Sequence, residues 1–186
     1  MTTVFTIGTS SHPWEVFERL LVKADITAIA DVRSSPASRL SHFNQAPLKA
    51  RLNASGIAYV FLGAELGGRP KGGGIPDYEQ MAASRLFAEG IKQVEQIAPR
   101  TRLALMCSEH EPLTCHRCLL IGRRLVERGV GVAHVVRDGT IEPNEATEDR
   151  LLKLTRLADG DLLTSRKERL AAAYRAQALK ITRASR

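Results

Sequence analysis

From Cys107 to Arg117 the chain reads CSEHEPLTCHR, with two of its three cysteines, two of its five histidines, two glutamates and an arginine; Cys118 follows at once. Three chemistries suit that set. The first is an anion pocket. A helix opening near Thr114 to Arg117 offers unpaired backbone N–H groups and the positive end of its dipole. The guanidinium forks of Arg117, Arg33 and Arg39 suit phosphate, and Ser10 and Ser34 add donors. A competing use for Arg33 is to pair with Asp31 or Glu109 and tie loops together. The second chemistry is a nucleophile. Cys107 ends an apolar run and Cys115 lies near a helix N-terminus, which lowers a thiol pKa. His116 is then the base, and Glu109 the acid or the residue orienting it. The phosphate-binding loop Cys-x5-Arg is not met, because nine residues separate Cys107 from Arg117. Buried cysteines that only pack are the competing account. The third chemistry is zinc, for which Cys107, Cys115, His116 and Cys118 supply ligand types. The spacing C-x7-C-H-x-C fits no common zinc pattern, and neighbours on a helix point about 100° apart. The expectation is therefore no metal and no cofactor.

These residues need a scaffold, and the hydrophobic pattern supplies one. Val4–Ile7 reads as a buried strand ending at Gly8, Ile26–Val32 as a second and Ile57–Leu62 as a third. Leu103–Cys107 is a fourth, apolar throughout, and Val130–Val136 a fifth. Between them lie helical stretches. One starts at Pro13 and has Trp14, Phe17, Leu20 and Leu21 at helical spacing. The others are Pro47–Ala54, stopped by Gly56; Asp77–Ile97, with Phe87, Ile91, Val94 and Ala98 on one stripe; and Cys115–Arg128, closed by Gly129. Asp138-Gly139 is a turn that folds Thr140-Ile141 back as a small hairpin. Strands alternating with helices predict an α/β fold: one domain of three layers, a mostly parallel five-stranded sheet with helices on both faces. In such a sheet ligands bind beyond the carboxyl ends of the strands. Thr9-Ser10, Asp31-Val32-Arg33, Cys107-Ser108-Glu109 and Cys115-His116-Arg117 all fall there. His134, inside the fifth strand, reads as a satisfied core residue, and His42 as a loop residue near Arg39.

From Gly63 to Pro76 six of 14 residues are glycine, with Arg69 and Lys71 as bases. This stretch is expected not to pack a core. It reads as a lid, a loop around a phosphate, or a plain connection. The α/β domain is assigned to residues 1–144. Two helices, about 145–158 and 165–183, form a C-terminal extension broken near Asp159-Gly160-Asp161, the second with Leu170, Tyr174, Ala178 and Ile181 on one face.

Of the net charge of +7, +6 lies in residues 162–186. Such a basic helix attracts nucleic acid or an anionic surface, or simply stays solvated. The 44% hydrophobic and 25% charged fractions are those of an ordinary globular protein. The opening MTTVFTIG lacks a basic region and a long apolar run, and no stretch approaches the ~18 apolar residues of a membrane span. Three cysteines, two nearly adjacent, argue against a disulfide framework. A cytoplasmic protein with no membrane partner is expected. The sequence leaves its oligomeric state open.

Thr6-Ile7-Gly8-Thr9-Ser10, then Asp31-Val32-Arg33-x-x-Pro36-x-Ser38-Arg39-x-x-x-Phe43-Asn44, Leu66-Gly67-Gly68, Leu105-Met106-Cys107-x-Glu109 and Cys115-His116-Arg117 occur in that order. Together they resemble the bacterial and archaeal family called "domain of unknown function 488", over roughly residues 4–142. The resemblance implies a compact α/β fold and a shared site of Asp31, Arg33, Ser38, Arg39, Cys107, Glu109, Cys115, His116 and Arg117. It also implies a relation to nucleic-acid processing, and no established reaction. Thr9 stands where members often carry His or Tyr. The functional expectation is a protein that binds a phosphate-bearing ligand, a nucleotide or nucleic acid, at the strand carboxyl ends. Thr9, Ser10, Asp31, Arg33, Ser38, Arg39 and Arg117 are the binding candidates. Cys107, Glu109, Cys115 and His116 are the candidates for acid/base or thiol chemistry. One alternative is a non-catalytic nucleic-acid-binding module driven by the basic tail. Another is an ion-pair network of Asp31, Glu109, Arg33 and Arg117 that braces the loops.

Overall fold

The computed structural model describes residues 2–70, 72–158 and 164–184. Lys71 and the helix break expected at Asp159–Asp161 lie outside the described residues. The strands are β1 (Thr3–Gly8), β2 (Ala28–Asp31), β3 (Ala58–Phe61), β4 (Leu103–Cys107), β5 (Gly131–Val135) and β6 (Ile141–Pro143). They form one sheet in the order β3-β2-β4-β1-β5-β6. The first five are parallel, and β6 pairs antiparallel with β5. The sheet therefore has six strands and not five: the turn at Asp138-Gly139 returns the chain far enough for Ile141 to pair with Val135.

The period-two alternation of β4 sends its residues to two apolar clusters. Leu103, Leu105 and Cys107 join Phe87, Ile91 and Val94 of α5 (Arg85–Ile97) and Leu120, Ile121 and Leu125. Ala104 and Met106 join Trp14, Phe17 and Leu21 of α1 (Trp14–Lys23) and Leu48 and Leu52 of α2 (Gln45–Ala54). Helices thus cover the central strands through both parities, and the side chain of Cys107 falls on the α5 side.

Three helices depart from the sequence pattern. The stretch expected as one helix from Asp77 to Ile97 is divided. Asp77 caps a short helix, α4 (Tyr78–Ala82), by accepting from the N–H groups of Glu79 and Gln80; Ser84 caps α5 by accepting from Phe87 N–H. The half of the glycine loop expected not to pack does so. Gly63–Leu66 is a helical turn, α3, and Leu66 is fully buried in the α5 cluster. The helix expected from Cys115 begins two residues later. Arg117–Gly122 is a π-helical stretch that runs into α-helical Arg123–Glu127. Toward the C-terminus, Asn144–Leu154 and Arg166–Ala184 pack with Leu113, Cys118 and Leu119 in a third cluster. The buried side chains of the last helix are Ala173, Tyr174, Gln177 and Thr182, with Leu170 and Ile181 partly covered. Its inward stripe is therefore turned from the one the pattern predicts, and Ala178 is not among its fully buried residues. Among the described residues no helix is long and apolar enough to cross a membrane.

Candidate functional site

The site grows from the end of β4. Beyond Cys107 the β1–β4 pairing continues for two more bonds, Thr9 N–H to the Cys107 carbonyl and Ser10 N–H to the Ser108 carbonyl, each 2.8 Å. The chain then folds over Gly8 so closely that a Cβ there would stand 1.9 Å from the Glu109 carbonyl oxygen. Only glycine permits that approach. Arg117 fixes the segment from beneath. Its guanidinium donates to the backbone carbonyl of Glu109, to that of His110 at 2.8 Å and to Thr6 Oγ1 at 3.3 Å, and the residue is 0% exposed. Glu109 is left exposed with its carboxylate turned back: Oε2 lies 3.1 Å from Cys107 Sγ and 3.5 Å from Cys115 Sγ.

Pro112–Thr114 forms a 3-10 turn, and Cys115 leaves it in extended conformation, φ −131° and ψ 142°. His116 is the first residue with helical angles. Cys115 and His116 are therefore not consecutive helical positions, and the ~100° divergence expected of such positions does not arise. Each cysteine sulfur lies 3.7 Å from His116 Nδ1, and the three atoms are all within 4.8 Å of one another. On its far side His116 Nε2 lies 2.9 Å from the carbonyl oxygen of Val32. A carbonyl only accepts, so Nε2 carries the hydrogen and Nδ1 faces the sulfurs. Gly68 backs the imidazole: a Cβ there would meet His116 Cγ at 2.6 Å. All three groups are buried.

The protonation states of the trio are interlocked. Burial pushes the Cys115 thiol up, but its hydrogen bond with Cys107 and the nearby Arg117 and His116 outweigh burial and hold it well below the ordinary thiol range. Cys107 goes the other way, raised by that same hydrogen bond, by burial and by the Cys115 charge. Burial works to lower His116, and the Cys115 charge overcomes it and raises it. Burial also pushes up the Tyr78 phenol, with Cys115 and Cys107 adding to the effect. Cys118 lies apart in the C-terminal cluster, where burial raises it.

Cys107, Glu109, Cys115 and His116 share the wall of an open pocket of about 780 Å³. Arg33, Ser34, Ser35, Arg69 and Tyr78 line it too, and Ile181 and Thr182 of the last helix form part of the wall. The other sequence candidates fall elsewhere. Arg33 reaches the pocket wall but is only 3% exposed. Its Nε and Nη2 grip Asp31 at 2.9 and 2.6 Å, and Nη1 donates to the Phe43 carbonyl at 2.8 Å. Tyr59 donates to the same Asp31 carboxylate at 2.9 Å. Arg117 does not line the pocket at all. Two of the three arginines expected to hold an anion are thus occupied in holding loops. Ser38 serves its own turn, its N–H donating to Asn44 Oδ1 and its Oγ accepting from Leu40 N–H. Arg39 is exposed and, with Thr9 and Ser10, stands outside the pocket. Tyr78, the Val32 carbonyl and Gly68 belong to the site and were not read from the sequence. Of these, Val32 and Gly68 left a trace, as members of the quoted motifs Asp31-Val32-Arg33 and Leu66-Gly67-Gly68, the latter a glycine pair approached closely by Ser34 and His116.

A family model described as "Domain of unknown function DUF488" matches residues 13–123, more than half of the chain. That span contains the Asp31–Arg33 pair, the glycine loop and every member of the sulfur–imidazole–carboxylate cluster. No curated protein and no solved structure matches the chain.

Proposed function

The chain belongs to the DUF488 family, and on that premise we propose that its pocket binds a phosphate-bearing ligand, a nucleotide or nucleic acid, and acts on it, with Glu109 moving the proton. The observation that carries this reading is the meeting of Cys107, Glu109, Cys115 and His116 in the wall of one open pocket. Four groups able to attack, ligate or transfer protons, two of them brought from eight residues further along the chain, are more than packing needs. The anionic ligand is supported by Arg69, exposed on the pocket rim, and by hydroxyls of Ser34, Ser35, Ser108 and Thr114. Ser34 Oγ accepts the Arg69 N–H at 3.0 Å, which fixes that base beside the opening. Three free thiols suit a reducing cytoplasm.

The tail-driven binding module is the second reading, favoured by Arg175, Lys180 and Arg183, all exposed on the last helix. Titration of the protein with inorganic phosphate, nucleoside mono- and diphosphates and a short oligonucleotide separates the two. Under the pocket reading Arg69→Ala weakens binding about 10-fold, one charge-assisted hydrogen bond, and the triple Ala variant of Arg175, Lys180 and Arg183 leaves it unchanged. The reverse pattern makes the helix the binding surface. No binding by any of these at millimolar concentration overturns both.

A further inference from the structure

We propose that Cys107 Sγ, Cys115 Sγ and His116 Nδ1 hold a zinc ion, with a fourth coordination position open to the pocket beside Glu109. The proposal rests on the preceding reading for the use of the site, and on geometry alone for its existence. Zinc takes thiolate at ~2.3 Å and imidazole at ~2.0–2.1 Å, so a tetrahedral site separates sulfur from nitrogen by about 3.6 Å. Both sulfur-to-nitrogen separations are 3.7 Å. Two edges of the required figure are therefore already in place, and all three ligand atoms lie within 4.8 Å of one another.

The surroundings are those of a ligand set. The Val32 carbonyl holds the Nε2–H of His116 at 2.9 Å, which fixes the tautomer and aims the Nδ1 lone pair between the two sulfurs. Gly68 lies so close to the Cγ–Nδ1 side of the same ring that a Cβ there would meet Cγ at 2.6 Å and displace it. The extended backbone of Cys115 turns its sulfur to the side that Cys107 reaches from the strand end. Arg117, braced on the carbonyls of Glu109 and His110, keeps the intervening segment in register. Two sulfurs and one imidazole select a soft or borderline ion; magnesium and calcium call for oxygen donors.

Three protein ligands rather than four make a site of the catalytic kind. Two thiolates neutralise the ion, and a water completes it from the pocket side. The Glu109 carboxylate, 3.1 and 3.5 Å from the two sulfurs, borders that position. It takes one proton from the water. The hydroxide forms the new bond to the phosphorus, the bond from phosphorus to the leaving oxygen breaks, and the proton passes from Glu109 to that oxygen.

Zinc and cobalt are the probes. Protein purified without an affinity tag or chelator is analysed for metal, and apo protein is titrated with Co²⁺. The expected result is one zinc per chain and, for cobalt, sulfur charge-transfer absorption with the intense visible bands of a tetrahedral ion. Cys107→Ser and Cys115→Ser lower cobalt affinity by more than ~100-fold, and Gly68→Ala by about 10- to 100-fold through the displaced ring. Cys118→Ala leaves it unchanged. Because the cysteine variants test folding as well as ligation, the wild-type metal content and cobalt spectrum decide the question without them. Substoichiometric zinc with no tetrahedral cobalt spectrum overturns the site. Retention of the ion by Glu109→Gln is expected; its loss overturns the open fourth position. If zinc binds and phosphate compounds do not, the metal site stands and the substrate class falls. If phosphate compounds bind a metal-free protein, the pocket reading stands and this one fails.

Discussion

Acidification should destabilise this protein through a buried residue that does not line the pocket. His134, on β5 and 0% exposed, sits in a one-way chain of donors. Arg117 Nε donates to Thr6 Oγ1 at 3.3 Å, and the Thr6 hydroxyl donates to His134 Nδ1 at 2.8 Å. His134 Nε2–H then donates to Asn144 Oδ1 at 3.2 Å, and Asn144 Nδ2 to Glu148 Oε1 at 2.9 Å. A second proton on His134 would face Thr6 and break the chain. Burial, with the Arg117 charge behind it, lowers the His134 pKa from 6.5 to about 4. The folded state therefore binds fewer protons than the unfolded state between those values. The stabilisation is fully present above pH 6.5 and is lost as pH falls toward 4. At 1.36 kcal/mol per unit the loss is about 2 kcal/mol between pH 7 and pH 5. Urea unfolding at pH 7, 6 and 5, for wild type and for His134→Gln, isolates the term, since every other titrating group is common to both. The variant should be less stable at pH 7, and its disadvantage should shrink by about 2 kcal/mol by pH 5. Parallel stability curves across that range would refute the argument.

Four other outcomes are expected from the same structure. Arg117→Met should cost about 3 kcal/mol, one for each charge-assisted hydrogen bond lost, measured by urea unfolding; a cost below ~1 kcal/mol would deny its bracing role. Gly8→Ala should cost about 3 kcal/mol or more, because its Cβ would stand 1.9 Å from the Glu109 carbonyl oxygen, a backbone atom and not the end of a flexible side chain; chemical denaturation checks it. Glu79→Gln severs the contacts that tie Tyr78–Ala82 to Arg123 and Arg124, but Glu79 is 47% exposed, so the loss should stay under ~1 kcal/mol and shrink in high salt. Deleting residues 162–186 should lower the melting temperature sharply rather than yield a folded, non-binding core, since it removes buried Ala173, Tyr174 and Gln177.

The sequence made the sheet legible because every parallel strand is a short, mostly apolar run, and β1, β2 and β4 are closed by polar groups at their carboxyl ends. It made the site's edge legible for the same reason: Cys107, Glu109, Cys115 and His116 do converge. What it could not carry is which way a charged residue spends its hydrogen bonds. Arg33 and Arg117 look the same in sequence whether they hold a phosphate or a loop, and burial beside Asp31 and beneath Glu109 decides the matter. The start of the helix at Arg117 was equally hidden. A run such as CHRCLLIGRRL is helical by pattern from its first residue, and only the 3-10 turn at Pro112–Thr114 sets Cys115 back into an extended conformation. That shift of two residues separates a pair of diverging side chains from a cluster.

The basic C-terminal helix looked like an appendage because its charge is concentrated and its apolar stripe is thin. Its polar contacts argue otherwise. Tyr174 donates to Glu148 Oε1 at 3.1 Å, the same oxygen that ends the chain begun by Arg117. Gln177 donates to the Leu113 carbonyl at 2.7 Å, inside the 3-10 turn that delivers Cys115. Thr182, one turn further on, stands in the pocket wall. A helix that holds both the turn before Cys115 and the network behind Arg117 determines where the sulfurs and the imidazole come to rest. Charge on its outer face is then free to vary. Substitutions at Arg175 or Lys180 should therefore leave the cobalt spectrum untouched, whereas Gln177→Leu, which strands the Leu113 carbonyl, should weaken metal binding. Equal indifference to both would make the helix a mere cover.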